Sequence, residues 1–278
     1  MKLVPGVLNW SYHRLFWNKW SDNLDTYIGK VSTLKRKFGY DEMCISIGLE
    51  GGTDAFHSHD VKYIGEVKRK LENEGLTPIP LIGVVEVHAD PDIVNISVES
   101  IKRLMQEAIL LGASTVQFYP NLHGRLSREK AVRVYRDALK AISERACDLG
   151  LNCCSEEYCT FSGDELSLIM RGIPNVGIVN DIGNWLILGE DPVAASRKFA
   201  DITVHVHLKD YIFEDGIWQS VPFGQGMVDI GRILNILRSQ VSKKTMYLAF
   251  ETDLDAGDED LAMEKCFRFY QDWCDAKS

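Results

Sequence analysis

The sequence predicts an α/β chain closed into a single (β/α)8 TIM barrel. Three observations point there. Eight apolar, strand-like runs alternate strictly with amphipathic helical runs, 278 residues is a length that suits such a barrel, and four successive strand-like runs end on a carboxylate or an imidazole. Strict alternation implies parallel strands joined by crossover helices. Eight such units in a chain of this length favour closure over an open doubly wound sheet.

The first strand is expected at Gly6–Trp10, followed by a helix over Ser21–Phe38 in which Leu24, Ile28, Val31 and Leu34 recur at helical spacing. Strand and helix then alternate through Glu42–Gly48, Asp60–Asn73, Leu76–Val87, Val98–Leu111 and Ser114–Tyr119. The longest helix is expected over Arg128–Leu149, with Ser127 as its N-cap. Leu151–Glu156, Asp164–Arg171 and Val176–Asn180 follow, then a helix over Pro192–Phe199 whose proline suits a first turn. The series closes with Ile202–Leu208, Ile230–Ser239, Met246–Phe250 and Asp260–Trp273. No linker rich in Pro, Gly or Ser interrupts it, so one domain over residues 1–278 is expected.

Composition is that of a globular protein, 45% hydrophobic and 26% charged. A net charge of −9 and a pI near 5.3 leave no basic stripe to displace counterions, so no nucleic-acid partner is expected. Met1–Pro5 lacks the features of a signal peptide, and no apolar run approaches a membrane span. The seven cysteines are odd in number and form no CxxC pair, which argues against a disulfide framework or zinc ribbon. A cytoplasmic protein is expected, without a membrane partner and with the possibility of a homo-oligomer. Asn9-Trp10-Ser11-Tyr12 after the first strand is too bulky for close approach to a pyrophosphate.

In a barrel of this kind the chemistry lies at the C-terminal ends of the strands. Strand five ends Ser155-Glu156-Glu157, strand six Asn180-Asp181, strand seven His205-Val206-His207-Leu208-Lys209-Asp210, and strand eight Phe250-Glu251. One such carboxylate is ordinarily a solvated loop residue; four in succession at equivalent positions point to a metal. In the seventh strand, alternation puts His205 and His207 on one face and Val204, Val206 and Leu208 on the other. Two Glu, one Asp and one His make a hard donor set that suits Mn²⁺, Mg²⁺, Co²⁺ or Zn²⁺.

The series Glu156, Asp181-Ile182-Gly183-Asn184, His205-Val206-His207-Leu208-Lys209-Asp210, Pro222-Phe223-Gly224-Gln225-Gly226 and Glu251 resembles the xylose isomerase-like TIM barrels, the sugar phosphate isomerase/epimerase superfamily. The resemblance covers the C-terminal half; the N-terminal half shares only the strand–helix rhythm. It implies one divalent ion held by Glu156, Asp181, His207 and Glu251, His207 being chosen because it precedes Leu-Lys-Asp. Glu157 could replace Glu156 if strand five ends one residue later. His205, deeper on the same face, then supports the ligand from behind or packs in the core. Two departures matter: Gly224-Gln225-Gly226 stands where many relatives read Gly-Glu-Gly, and Asn184 stands where some ketose epimerases carry His.

An ion of this kind chelated by a ketose's carbonyl and neighbouring hydroxyl would stabilise an enediolate, while one carboxylate removes the α proton and a second returns it. The resemblance assigns those catalytic roles to Glu156 and Glu251. The expected function is therefore a divalent-metal-dependent isomerase or epimerase acting on a small-molecule sugar, a ketose or related compound. Asn184, Lys209, His88 and Glu50 are candidate substrate-binding residues, although Lys209 could equally pair with Asp210. Trp10, Tyr12, Phe16 and Trp17 could cover the apolar face of a sugar or form a subunit contact. Competing expectations are a lyase or dehydratase on a keto-sugar or inositol derivative, an endonuclease-like phosphodiester hydrolase, and a non-catalytic binding barrel.

Overall fold

The computed structural model describes residues 2–124, 126–240 and 245–276. Its strands are β1 (Lys2–Val7), β2 (Met43–Gly48), β3 (Leu76–Val87), β4 (Thr115–Leu122), β5 (Asn152–Glu156), β6 (Val176–Asp181), β7 (Thr203–Leu208), β8 (Asp210–Glu214), β9 (Ile217–Val221) and β10 (Thr245–Phe250). All but β8 and β9 form a closed parallel barrel in the order β1-β10-β7-β6-β5-β4-β3-β2. The expected (β/α)8 TIM barrel is what the chain forms.

The helices are α1 (His13–Phe16), α2 (Trp20–Phe38), α3 (Val61–Glu74), α4 (Pro91–Leu111), α5 (Arg128–Leu149), α6 (Gly163–Met170), α7 (Ile182–Ile187), α8 (Pro192–Phe199), α9 (Ile230–Gln240) and α10 (Glu259–Asp275). Their starts follow from local chemistry. Asp60, Ser127, Asp191 and Asp258 each accept a hydrogen bond from a backbone N–H of the first turn, and Ser162 with Glu165 forms a reciprocal capping box before α6. At their other ends, α2 and α3 stop on Gly39 and Gly75 with φ of 71° and 63°, a left-handed conformation that costs glycine nothing. Val31, Leu34, Ile64, Val67, Ile101 and Leu104 are among the buried helix positions that press on the outer face of the barrel. Among the described residues no helix is long and apolar enough to cross a membrane.

Two boundaries differ clearly from the sequence expectation. The first strand lies earlier, over Lys2–Val7, because Asn9–Tyr12 turns into a 3-10 helix. Pro5 lacks a donor, and β1 meets β2 only beyond it, at Gly6–Cys44 and Val7–Ile45. α4 begins seven residues sooner, at Pro91, with Asp90 as its cap. Its added turns carry Ile93 and Ile96 outward and so show no core periodicity. Two further elements were not anticipated. One is the short helix α7; the other is the β8–β9 hairpin, whose turn is Asp215-Gly216 with both residues at positive φ, 52° and 80°.

Candidate metal centre

Paired residues on neighbouring parallel strands share a face, so register decides what the barrel interior presents. Asp181 pairs with His207 and His207 with Ala249, while Glu156 pairs with Val179 one row below. Glu251 directly follows β10. As a result His207 Nδ1 lies 3.5 Å from Glu156 Oε2, 3.4 Å from Asp181 Oδ2 and 3.7 Å from Glu251 Oε2. All four residues are buried.

Each of these side chains is held by a different neighbour. His207 Nε2 sits 2.8 Å from Gln117 Oε1, while Gln117 Nε2 donates to Ser46 Oγ at 3.0 Å. An amide oxygen only accepts, so His207 Nε2 carries an N–H, and Nδ1 is the nitrogen that faces the carboxylates. Asp181 caps α7: its Oδ1 accepts from the backbone N–H groups of Gly183 and Asn184, both at 3.0 Å, which turns Oδ2 toward the centre. The same cap places Asn184, whose Nδ2 donates to Glu156 Oε1 at 2.8 Å. Lys209 Nζ lies 2.9 Å from Glu251 Oε1 and 3.1 Å from Asp181 Oδ2. A Cβ at position 183 would sit 2.7 Å from Lys209 Cβ and 2.6 Å from the Tyr211 ring, so glycine there lets Lys209 reach inward.

Burial governs the charges. It raises the carboxyl of Glu156 against the pull of His207, and it pushes Glu251 up to about 8 against the pull of Lys209. Burial also opposes charge on Asp181, yet Lys209 and His207 hold that carboxyl down at about 2. For His207 and Lys209 burial is outweighed by the surrounding carboxylates, chiefly Glu156 for His207 and Asp181 for Lys209, so both are raised. Three carboxyl groups in one buried place cannot all ionise beside a single lysine without more positive charge.

The donor set fits a divalent cation. Glu156, Asp181 and His207 bring one donor atom each within reach of a shared ion; His207 Nδ1 and Glu251 Oε2 are buried without a hydrogen-bond partner, which is costly, and Asp181 Oδ2 meets only the Lys209 ammonium. Ligands about 2.1 Å from an ion stand about 3.0–3.4 Å apart, close to the spacing around Nδ1. Three oxygens and one nitrogen suit magnesium, manganese, cobalt or zinc.

Residues 36–266, which include all four side chains, match the family described as xylose isomerase-like TIM barrel. The chain belongs to the xylose isomerase-like TIM barrel family. Among solved structures it is similar to an L-ribulose 3-epimerase, with a TM-score of 0.75 and 16% identity over 99% of this chain and 95% of that one. It is similar to the IOLI protein, solved with a zinc atom, with a TM-score of 0.74 and 18% identity over 99% of each chain. It also resembles a xylose isomerase-like barrel from Mycobacterium smegmatis in complex with magnesium, with a TM-score of 0.67 and 17% identity over 99% and 98% of the two chains. No curated protein matches the sequence significantly.

In this xylose isomerase-like barrel the other candidate residues are distributed as follows. Glu157 is buried away from the cavity with both carboxylate oxygens unpartnered, so it is Glu156 that faces His207. His205 lies one turn of the pleat deeper, its Nδ1 3.0 Å from Tyr247 O and its ring edge-on to His207 at 5.2 Å. Lys209 contacts Asp181 and Glu251 rather than Asp210. Asp210 instead accepts from the backbone N–H groups of Tyr211, Gly224, Gly226 and Val228, fastening the Pro222–Val228 loop. Gln225, at the tip of that loop, is exposed.

A cavity of about 850 Å³ opens above the four side chains. Glu50, Asn184 and Lys209 line it; His88 does not, and its Nδ1 accepts from the backbone N–H of Asp90. Glu50 is held by Ser100 Oγ at 2.8 Å. Trp10 and Trp17 line the cavity, whereas Tyr12 and Phe16 pack into the core against Trp20 and Tyr27. Gln117 escaped the sequence reading. Its signal was its register: alternation turns Thr115, Gln117 and Tyr119 to one face of β4, which makes Gln117 an amide aimed into the barrel.

Proposed function

We propose that the chain is a divalent-metal-dependent isomerase or epimerase of a ketose or related sugar, working by proton transfer next to a carbonyl. The observation that carries this reading is the convergence of Glu156, Asp181 and His207 on one buried point, with Glu251 Oε2 3.7 Å from His207 Nδ1 and both of those atoms without a hydrogen-bond partner. Solved relatives of the same fold include an L-ribulose 3-epimerase.

Glu156, Asp181, His207 and Glu251 would hold the ion. Bound there, a divalent cation supplies Lewis-acid polarisation of a carbonyl and its neighbouring hydroxyl. Glu156 and Glu251 enter from β5 and from the end of β10, strands separated by two others in the barrel, so a substrate over the mouth lies between them. Each has one oxygen fixed, Glu156 Oε1 by Asn184 and Glu251 Oε1 by Lys209, and the other turned to the centre. One removes the proton at the carbon beside the carbonyl and the other returns a proton there. In the metal-free chain burial raises both carboxyl groups above the usual carboxylate range. Lys209 stays charged and steadies Glu251 through both states.

Phosphodiester hydrolysis is disfavoured by the walls of the cavity, where Glu50, Glu86 and Asp253 would repel a nucleic-acid backbone. The test is to incubate the metal-loaded chain with a panel of ketoses in D₂O. Solvent deuterium next to the carbonyl without loss of water is the expected result, and Glu251→Gln should slow it by about 10²–10⁴-fold. Loss of water would move the assignment to a lyase. No exchange with any ketose, by a chain that holds its metal, would remove the isomerase reading.

A further inference from the structure

The cavity is much larger than its polar floor requires. Its volume of about 850 Å³ lies in the range that encloses drug-sized molecules, and a free ketose would leave most of it empty. The surplus space is apolar. Leu8, Trp10, Leu81, Val84 and Tyr119 form its walls above the metal centre. Around the mouth stand Trp17 at 44% exposure, Ile93 at 38%, Ile96 at 71%, Tyr158 at 48% and Ile187 at 37%. Five large apolar or aromatic side chains exposed on one rim form a patch that water alone does not explain.

Backbone and ring geometry keep this rim in place. Tyr158 adopts φ of 46° and stacks on Tyr119 at 4.1 Å, which holds its ring at the cavity mouth. Trp17 stands edge-on against Trp10 at 5.0 Å, and Trp10 donates to Asp253. The extra turns of α4 supply Ile93 and Ile96.

Charge points the same way. Outside the four-residue centre the lining contributes Glu50, Glu86 and Asp253, and its one lysine is engaged by Asp181 and Glu251. The described lining residues include no arginine. A phosphate or carboxylate on the substrate would meet negative charge without a free cation.

We infer that the site takes an uncharged sugar bearing an apolar substituent of aromatic size. The sugar's oxygens lie at the metal centre, and the substituent lies against Trp17, Ile93 and Ile96. This rests on the function proposed above and names its substrate class.

The test is calorimetric titration of the Mn²⁺-loaded chain with methyl β-D-glucopyranoside, phenyl β-D-glucopyranoside and glucose 6-phosphate. Burial of a phenyl group predicts roughly 10–100-fold tighter binding of the phenyl than of the methyl glycoside. The double variant Trp17→Ala, Ile96→Ser, at two exposed positions and checked for native circular dichroism, should bring that ratio to within about threefold. Equal affinities for the two glycosides, no binding of either, or tighter binding of the phosphate would each overturn the inference. So would a dimer in solution that Ile96→Asp dissociates, because the rim would then cover a second copy of the chain. Failure of the reaction itself is read separately: a phenyl preference without solvent exchange from any ketose removes the isomerase reading and leaves the pocket's specificity standing.

Discussion

Gln117 fixes which nitrogen of His207 faces the three carboxylates. Its Oε1 lies 2.8 Å from His207 Nε2, and its own amide is oriented in turn by Ser46. The imidazole is thereby held with Nδ1 toward the carboxylates, the nitrogen that a bound ion would take. Gln117→Leu is expected to weaken divalent-ion binding by about 10–100-fold while leaving the fold intact. Metal titration followed by circular dichroism checks both halves, and an unchanged affinity would show that the Gln117 contact does not orient the imidazole.

Removing the metal should cost stability. An ion at about 100 times its Kd stabilises the folded chain by about 2.7 kcal/mol, which for a barrel of this size raises Tm by several degrees. Scanning calorimetry with Mn²⁺ and with a chelator makes the comparison. Identical curves would mean that nothing binds the folded chain preferentially.

The metal-free chain should lose stability as pH rises. Glu251 is pushed from 4.5 up to about 8 by burial, so between those values the folded chain holds a proton that the unfolded chain has released. A raised pKa contributes stability that is full below the unfolded value and is lost as pH climbs through the folded one. His207, also raised, acts in the same direction. With a saturating divalent ion the slope should reverse, because protons then compete with the metal for the same atoms. Tm measured with chelator and with Mn²⁺ at several points from about pH 5 to pH 8.5 reads the two slopes directly. Parallel slopes would contradict the shared site.

Asp210 should matter for stability more than for the metal. It accepts four backbone N–H bonds, from Tyr211, Gly224, Gly226 and Val228, and a Cβ on Gly226 would run into its carboxylate. Asp210→Ala is expected to destabilise the chain by about 2–4 kcal/mol in urea denaturation, with metal affinity far less affected than in Gln117→Leu. A loss of metal affinity equal to that of Gln117→Leu would place Asp210 in the centre instead.

The barrel was legible because its signal is repeated: each unit supplies an apolar run and an amphipathic stretch, most add a capping side chain, and a closed parallel sheet tolerates errors at any one boundary. The four strand-end residues were legible for the same reason, since Glu156, Asp181, His207 and Glu251 occupy equivalent places. Their supports were not. Gln117 is one amide in an apolar strand, and nothing local says that it will meet an imidazole ninety residues on. α7 has six residues, too few for a periodicity to show, yet its Asp181 cap aims both that carboxylate and Asn184. The hairpin's Asp215-Gly216 turn was a readable signal lying between two strand-like runs. Ile93 and Ile96 broke the expected pattern of α4 because they face the cavity mouth rather than the core, so the boundary error fell on residues of the site.

The account rests on a single divalent ion held by Glu156, Asp181, His207 and Glu251, and its most direct test is the metal stoichiometry of the purified chain beside that of His207→Ala and Asp181→Ala. One tightly bound divalent ion per wild-type chain, lost in both variants while each remains folded, is the predicted result. A wild-type chain that binds no divalent ion, or variants that keep the ion at wild-type affinity, would contradict it.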